Sequence, residues 1–479
     1  MKKIKPFFIN SNICIDDKDI INFDAFMRAV AGNTGNAYIT YSLIKELGVD
    51  SNDVRHIQNI YQYDFTRSDA DIEYINSQCS HVFLILQDQI RISESYGLQL
   101  PYQDIMNFIS RLNKPVVVCG LGANSFNGFD SNFYKQLSPE LVRFLNFISD
   151  HCVNIGVRGE FTADVLTKLG IKNVTVVGCP SFFETGPNRI IKKAENISLE
   201  DILLTSRFCI PELVNNHTIM QDFQEEDVLR AAAFNDWTLV NDINEFKKLC
   251  MQKYHIFSNV QDWKNFISQF PFAVGYRLHG SIAAINAGVL SLCCNGDTRA
   301  TEMCKFLHIP HNSNVGPDTD IIKLYNDLDV SDINQAYPKL YANFADFILK
   351  NTGIKIHGQE SLIQQPHLNL YSLPNAGLGQ GLDFIINKQN AIKNLQDGLD
   401  GLNCNMQALQ NDMQALQNDI YSKINDVQCV LQNYIDKQKQ KSKNVWYKKL
   451  FSVNKTHHHR YVQILGVKIN IGKIKNVEK

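Results

Sequence analysis

No run of about 18 consecutive apolar residues occurs in the 479-residue chain, so no segment reads as a membrane-spanning helix. The basic start Met1-Lys-Lys-Ile-Lys is followed by Asn10, Asn12 and the Asp16-Asp17 pair, which break the apolar stretch that a signal peptide needs. Twelve cysteines are present, but none form a Cys-x-x-Cys pair, and Cys293-Cys294 lies inside an apolar run. Scattered in this way they read as small buried hydrophobes in a reducing compartment, which excludes a disulfide framework or a zinc site. Walker and dinucleotide fingerprints are missing as well. His457-His458-His459 is a weak metal signal, because three adjacent residues do not project to one point on a helix or strand. These absences predict a cytoplasmic protein without a metal.

What is present is mostly globular in character, at 44% apolar and 20% charged, and the length suggests about three units. The net charge of −2 conceals an asymmetry: from Lys437 to the end there are twelve Lys and Arg against Glu478 alone, so the tail carries about +11 and the remainder about −13.

Strand-like and helix-like patterns alternate through the first part. Lys5 to Ile15, Val82 to Leu86, Pro115 to Cys119 and Val174 to Val177 read as strands. Ala37 to Leu47, Tyr102 to Leu112, Glu140 to Ile148 and Thr162 to Leu169 have helical spacing. The turn-rich stretch Glu184 to Ser198 then reads as a hinge. Alternation resumes with strands at Asp201 to Thr205, Thr238 to Val240, His255 to Phe257, Phe272 to Val274 and Val289 to Cys294. Helices are expected at 227–235, 243–252, 261–269, 281–287 and 299–307. The expected class is therefore α/β, with two Rossmann-like domains at 1–190 and 191–360 enclosing a cleft between facing strand ends.

Beyond these domains the period changes to seven. Ile385, Ile392, Leu399, Met406, Met413, Ile420, Val427 and Tyr434 recur with Leu395, Leu402, Leu409, Leu416 and Val430 as companions, apart from Lys423, which falls in a slot expected to be apolar, and Met406 to Asp412 repeats word for word at 413–419. This predicts a coiled coil over 385–436 and, through it, a homo-oligomer; the alternative is a helix folded back on the body. The basic tail 437–479 interleaves Trp446, Tyr447, Leu450 and Phe451 with lysines. Such a mixture suits an anionic membrane surface and peripheral contact at the inner membrane face, or else a solvated tail with a small hairpin.

Four segments carry candidate chemistry. Ala31-Gly-Asn-Thr-Gly-Asn36 opens a helix, where Gly32, Asn33, Gly35 and Asn36 would offer N–H groups to an anion or simply cap the helix. Cys119-Gly-Leu-Gly-Ala-Asn124 follows an apolar strand, so its glycines allow a ligand to approach, or make a tight turn. Arg158, in Ile155-Gly-Val-Arg-Gly-Glu160, stands at a strand end, free for a ligand or paired with Glu160 or Asp164. Gly275-Tyr-Arg-Leu-His-Gly280 sets Arg277 and His279 two residues apart where an apolar strand meets a small-residue helix, an anion site with a titratable neighbour. Asp297, Arg299 and Glu302 either join that site or hold its loop.

Gly32 to Asn36, Val157-Arg158, Gly178-Cys-Pro-Ser181 and Arg277-Leu-His279 with Ala287-Gly288 together resemble the polysaccharide pyruvyl transferase family, over roughly residues 25 to 320. The resemblance implies a fold similar to that of the GT-B glycosyltransferases, phosphoenolpyruvate as donor substrate and a glycan or lipid-linked saccharide as acceptor. The product would be a pyruvate ketal. Many members have Asp where Asn36 stands and Asp-Pro where Cys179-Pro180 stands, so a carboxylate role does not carry over there. The residues fit this chemistry: Arg158, Arg277 and the 32–36 turn for phosphate and carboxylate, and His279 for proton transfer or phosphate binding. The chemistry calls for no cofactor and no nucleic acid. The rival readings are a nucleotide-sugar glycosyltransferase on the same architecture and a non-catalytic coiled-coil scaffold with a degenerate body.

Overall fold

The computed structural model describes residues 4–15, 23–92, 100–125, 128–206, 210–221, 242–356, 363–366, 378–439, 451–455, 459–464 and 467–473, with 233, 235, 236 and 358 singly. The expected helix at 227–235, the strand at 238–240, the aromatic and basic residues 441–450 and His457-His458 lie largely or wholly outside these residues. Residues 1–387 form one compact unit and 388–479 a second.

The first unit contains two parallel sheets. One is ordered β2-β1-β3-β5-β7-β8, from β1 (Pro6–Ile9), β2 (Arg55–Ile57), β3 (His81–Leu84), β5 (Val116–Leu121), β7 (Cys152–Val157) and β8 (Val174–Val176). The short pair β4 (Ile90–Arg91) and β6 (Ala123–Asn124) lies apart from it. Its side chains alternate between faces as a pleated strand requires: Phe7, Ile9, Val82, Leu84, Val116 and Val118 enter one apolar cluster, and Phe8, Phe83, Val117 and Cys119 enter the other.

The second sheet is ordered β11-β10-β9-β12-β13, from β9 (Ile202–Leu204), β10 (Thr218–Ile219), β11 (Tyr254–His255), β12 (Phe272–Gly275) and β13 (Leu290–Cys293). Strand order reverses between β1 and β3 in the first sheet and between β9 and β12 in the second. In open α/β sheets a ligand crevice forms outside the carboxyl ends of such strands. The sheets turn these ends towards each other: Thr34 N–H donates to the Gln221 carbonyl just past β10 (2.8 Å), and Ser125 N–H, just past β6, donates to Thr298 Oγ1 (2.9 Å). This is the expected pair of Rossmann-like sheets in a GT-B-like arrangement.

The connector expected as a hinge is a packed joint. Glu184 is 0% exposed and accepts from Lys45 Nζ at 2.6 Å and from Lys264 Nζ at 2.7 Å. Lys45 comes from the helix Thr34–Glu46 and Lys264 from the helix Val260–Ile267, so one carboxylate joins both halves. Burial alone would raise the Glu184 carboxyl, but the two ammonium groups hold it below its ordinary value. Nearby, the buried Arg189 guanidinium stacks 3.6 Å from the centre of the Tyr337 ring and donates to Phe182 O (2.9 Å) and Asn286 Oδ1 (3.1 Å). Asn286 in turn donates to Ser181 O and to the Tyr38 hydroxyl.

The second unit contains most of the helix Leu378–Lys439 and a three-stranded antiparallel sheet, β14 (Phe451–Lys455), β15 (His459–Ile464) and β16 (Val467–Lys473). No helix among the described residues is long and apolar enough to cross a membrane. No disulfide joins any of the eleven described cysteines.

Removing one partner from a buried ion pair strands the other, at a cost of about 3 kcal/mol or more. Glu184→Gln, which leaves the ammonium groups of Lys45 and Lys264 without their shared counter-charge, should lower the unfolding free energy in urea by that measure, whereas Lys168→Met, from an exposed pair with Asp164, should cost under about 1 kcal/mol. Equal midpoint shifts for the two variants would show that the joint does not hold the body together.

Candidate functional site

Two helix amino termini meet at the cleft. Asn33 caps the helix Thr34–Glu46, its side chain accepting from Gly35 N–H at 2.9 Å, and Asn36 Nδ2 donates to Val30 O at 3.2 Å. Both amides therefore serve the turn itself, and Gly32 takes the left-handed φ of +73° that the turn needs. Gly35 has a further reason to be glycine. A Cβ there would fall 2.8 Å from both Cβ and Nδ1 of His279, closer than such atoms come. The backbone of the first lobe thus passes directly against the imidazole of the second.

His279 lies in the first turn of the helix Leu278–Asn286, for which Arg277 is the capping position after β12. The apolar strand and the small-residue helix place both residues at the strand–helix junction, as the sequence suggested. His279 Nε2 faces the Cys179 thiol at 3.6 Å, and that thiol is 3.0 Å from Ser181 Oγ. Nδ1 is thus the ring nitrogen on the Gly35 side.

Arg158 follows β7 and is 2% exposed, although the sequence left open a surface ion pair. Neither Glu160 nor Asp164 takes it: Asp164 pairs with Lys168 at 2.6 Å. Among the described residues no acceptor bonds its guanidinium, and its Nε is buried without a partner. Asp88 and Glu302 act on it electrostatically, but a buried guanidinium without a hydrogen-bonded acceptor remains costly unless a further anion meets it. Gly122 makes room for the side chain, since a Cβ there would touch Arg158 Cδ at 2.9 Å.

The helix Thr298–Leu307 reaches from the second lobe into the first. Asp297 caps it, accepting from Ala300 N–H at 2.6 Å, and also holds Arg299 Nη2 at 3.0 Å, while Arg299 Nη1 binds Asp88 Oδ2 at 2.9 Å. Asp297 and Arg299 therefore form the loop-holding network that the sequence allowed as one of two options. Asn124 is buried in β6, in register with Arg91. Glu302 accepts from Thr162 N–H at 3.0 Å and from its hydroxyl at 2.5 Å, and packs so closely on Gly159 that a Cβ there would meet Oε2 at 2.7 Å. Burial pushes the Glu302 carboxyl up to about 7 against the pull of the Thr162 donors and Arg158. Glu302 also lines a cavity of about 1010 Å³ with Phe129, Phe161, Phe306, Lys305 and Lys339.

Burial and the charges around the imidazole together decide its state. Burial, then Arg158, Arg299 and Arg277, drive the His279 pKa well below its ordinary value, and Asp88 only partly opposes them. His279 is therefore neutral at pH 7. Burial would raise Asp88, but Arg299, Arg158 and Arg91 hold its carboxyl below the usual range, so it stays ionised. Asp88 was not singled out in the sequence, although a carboxylate two residues past the apolar run Val82 to Leu86 is the signal that could have found it. No group of His, Cys, Asp and Glu suited to a metal occurs among the described residues.

The family model described as polysaccharide pyruvyl transferase matches residues 33–298. No curated protein matches the chain. Among solved structures, a functionally uncharacterised protein, KP1_0663, from Klebsiella pneumoniae shares 15% identity over 63% of this chain and 87% of that one, with a TM-score of 0.31. The S. aureus MnaA complex with UDP shares 12% identity, covering 82% of this chain and 98% of that one, with a TM-score of 0.33. The Neisseria meningitidis UDP-GlcNAc 2-epimerase bound to UDP-GlcNAc shares 11%, covering 81% and 99%, with a TM-score of 0.35. Likenesses this weak carry nothing about ligand or reaction.

A carboxylate in place of the Cys179 thiol would favour the imidazolium. Cys179→Asp should raise the His279 pKa by about one pH unit or more, followed by NMR titration of the imidazole, and Cys179→Ser should leave it near the wild-type value. Identical titrations of the two variants would mean that the thiol does not set the electrostatics of His279.

Proposed function

We propose, from the premise that this chain belongs to the polysaccharide pyruvyl transferase family, that it transfers pyruvate from phosphoenolpyruvate to two hydroxyls of a glycan precursor. The observation that carries this reading is the buried Arg158 guanidinium, which has no acceptor among the described residues and lies in a cleft that also holds Arg277, Arg299 and His279. Phosphoenolpyruvate presents a phosphate and a carboxylate, and Arg is suited to both.

In the proposed reaction the enol methylene gains a proton and becomes methyl, leaving an oxocarbenium-like carbon that a sugar hydroxyl attacks as it loses its own proton. Phosphate departs with the enol oxygen, and a second hydroxyl closes the ketal, its proton leaving with phosphate. His279 is the candidate donor. Its neutrality does not oppose this role, because the donor's negative charge would offset the three arginines and raise the imidazole pKa. The guanidinium groups that depress His279 would thereby make its protonation depend on donor binding.

Donor binding at pH 7 should accordingly take up a proton. Calorimetry with phosphoenolpyruvate in two buffers of different ionisation enthalpy should show uptake, and His279→Gln should abolish it. Arg158→Ala should weaken donor binding by about 10- to 100-fold. Proton-neutral binding would remove His279 from the acid role. If a UDP- or GDP-sugar stabilises the protein thermally and phosphoenolpyruvate does not, the chain is a glycosyltransferase instead.

The tail, at about +11 from residue 437 onwards, suits an anionic bilayer and would hold the enzyme beside a lipid-linked acceptor. Truncation after residue 436 should abolish sedimentation with phosphatidylglycerol vesicles and leave donor affinity unchanged. Undiminished vesicle binding would contradict this role for the tail.

A further inference from the structure

The helix Leu378–Lys439 is 62 residues long, about 93 Å at 1.5 Å per residue. Leu402, Met406, Leu409, Met413 and Leu416 are 57–66% exposed on it, a continuous apolar line in contact with water. From Leu395 to Ile420 this line advances in alternating steps of four and three. An unbroken heptad would next use position 423, which is Lys. The apolar series instead resumes at Ile424, a second consecutive step of four, and continues through Val427, Leu431 and Tyr434. Two such steps make a stutter, which locally unwinds a supercoil. The stutter removes Lys423 from the seam, where its ammonium pairs along the helix with Asp419 at 2.8 Å.

A stutter restricts what can lie on the helix. Two wound helices keep their seams in contact only if both seams shift at the same level. A second copy of this chain, parallel and in register, meets that condition automatically. An antiparallel copy would set the shifted segment against unbroken heptads, and would bring the flanking Asp412 and Asp419 of one chain to the side occupied by those of the other. Slippage by seven residues, which the repeat of 406–412 at 413–419 would otherwise tolerate, puts the two stutters at different levels. Asn403, Gln410 and Gln417 on the other flank keep the apolar line narrow, the width that suits two strands.

We propose that Leu378–Lys439 pairs with a second copy of the chain as a parallel, in-register, two-stranded coiled coil whose shared stutter lies at 420–424. Both chains then leave the helix at the same end, so two basic tails act together on any anionic surface. The inference concerns assembly and stands independently of the reaction proposed above.

Light scattering on the full chain should give twice the 54.6 kDa chain mass. In a Cys404→Ser, Cys429→Ser background, Leu409→Cys should oxidise to a covalent dimer, since in-register parallel helices oppose the two sulfurs. Ile424→Asn should weaken the dimer by about tenfold or more, and Lys423→Leu should change it less than about twofold. A monomer mass would overturn the pairing, and a dimer that fails to cross-link at 409 would overturn its parallel register. Tenfold tightening by Lys423→Leu would overturn the stutter.

Discussion

The position of the cleft between the two parallel sheets depends on one buried carboxylate. Glu184 is fully buried and is stabilised by an ammonium group from each lobe, Lys45 and Lys264. Lys45 stands in the last turn of the helix whose first turn carries Gly35, and Gly35 rests against His279. The ion triad at one end of this helix thus fixes the contact at the other. Such a joint gives specificity of arrangement more than net stability, because desolvation of three charges offsets much of their attraction. Arg189, Asn286 and Tyr38 extend the same polar seam beneath the helix that bears His279.

On the opposite side of the cleft, the helix Thr298–Leu307 places Thr298, Arg299 and Glu302 against Ser125, Asp88 and Thr162 of the first lobe. Most cationic groups here have partners. Arg299 is paired with Asp88 and Asp297, whereas Arg158 has burial without an acceptor among the described residues. Under the proposed reaction, this inequality would make Arg158 the place where the donor's anionic groups gain most, since the cost of its burial is already part of the fold. In the proposed reaction, burial and the same charges would keep His279 neutral until the donor's negative charge arrives, coupling donor charge to proton supply.

Much of this was legible in the sequence. Phe272 to Val274 followed by small residues at helical spacing placed Arg277 and His279 correctly, and Ile155 to Val157 placed Arg158. Legibility failed where structure arises between distant residues or from very short elements. Glu184 finds its lysines 139 and 80 positions away, so the Gly186-Pro187-Asn188 run suggested a hinge where the fold builds a joint. β2, with the sequence Arg-His-Ile, is too short and polar to show alternation, and the helix Ser331–Thr352 carries Pro338 inside it. The heptad was legible, but Lys423 looked like an exception to it until Ile424 and Leu431 were counted as the continuation of the line.

What occupies the space beside Arg158 decides whether this cleft takes phosphoenolpyruvate. A crystal structure of the protein with phosphoenolpyruvate tests it most directly. The expected result is the donor's phosphate or carboxylate within hydrogen-bonding distance of the Arg158 guanidinium, with its methylene carbon towards His279. Density for the donor elsewhere, with Arg158 still lacking an anion, would contradict it.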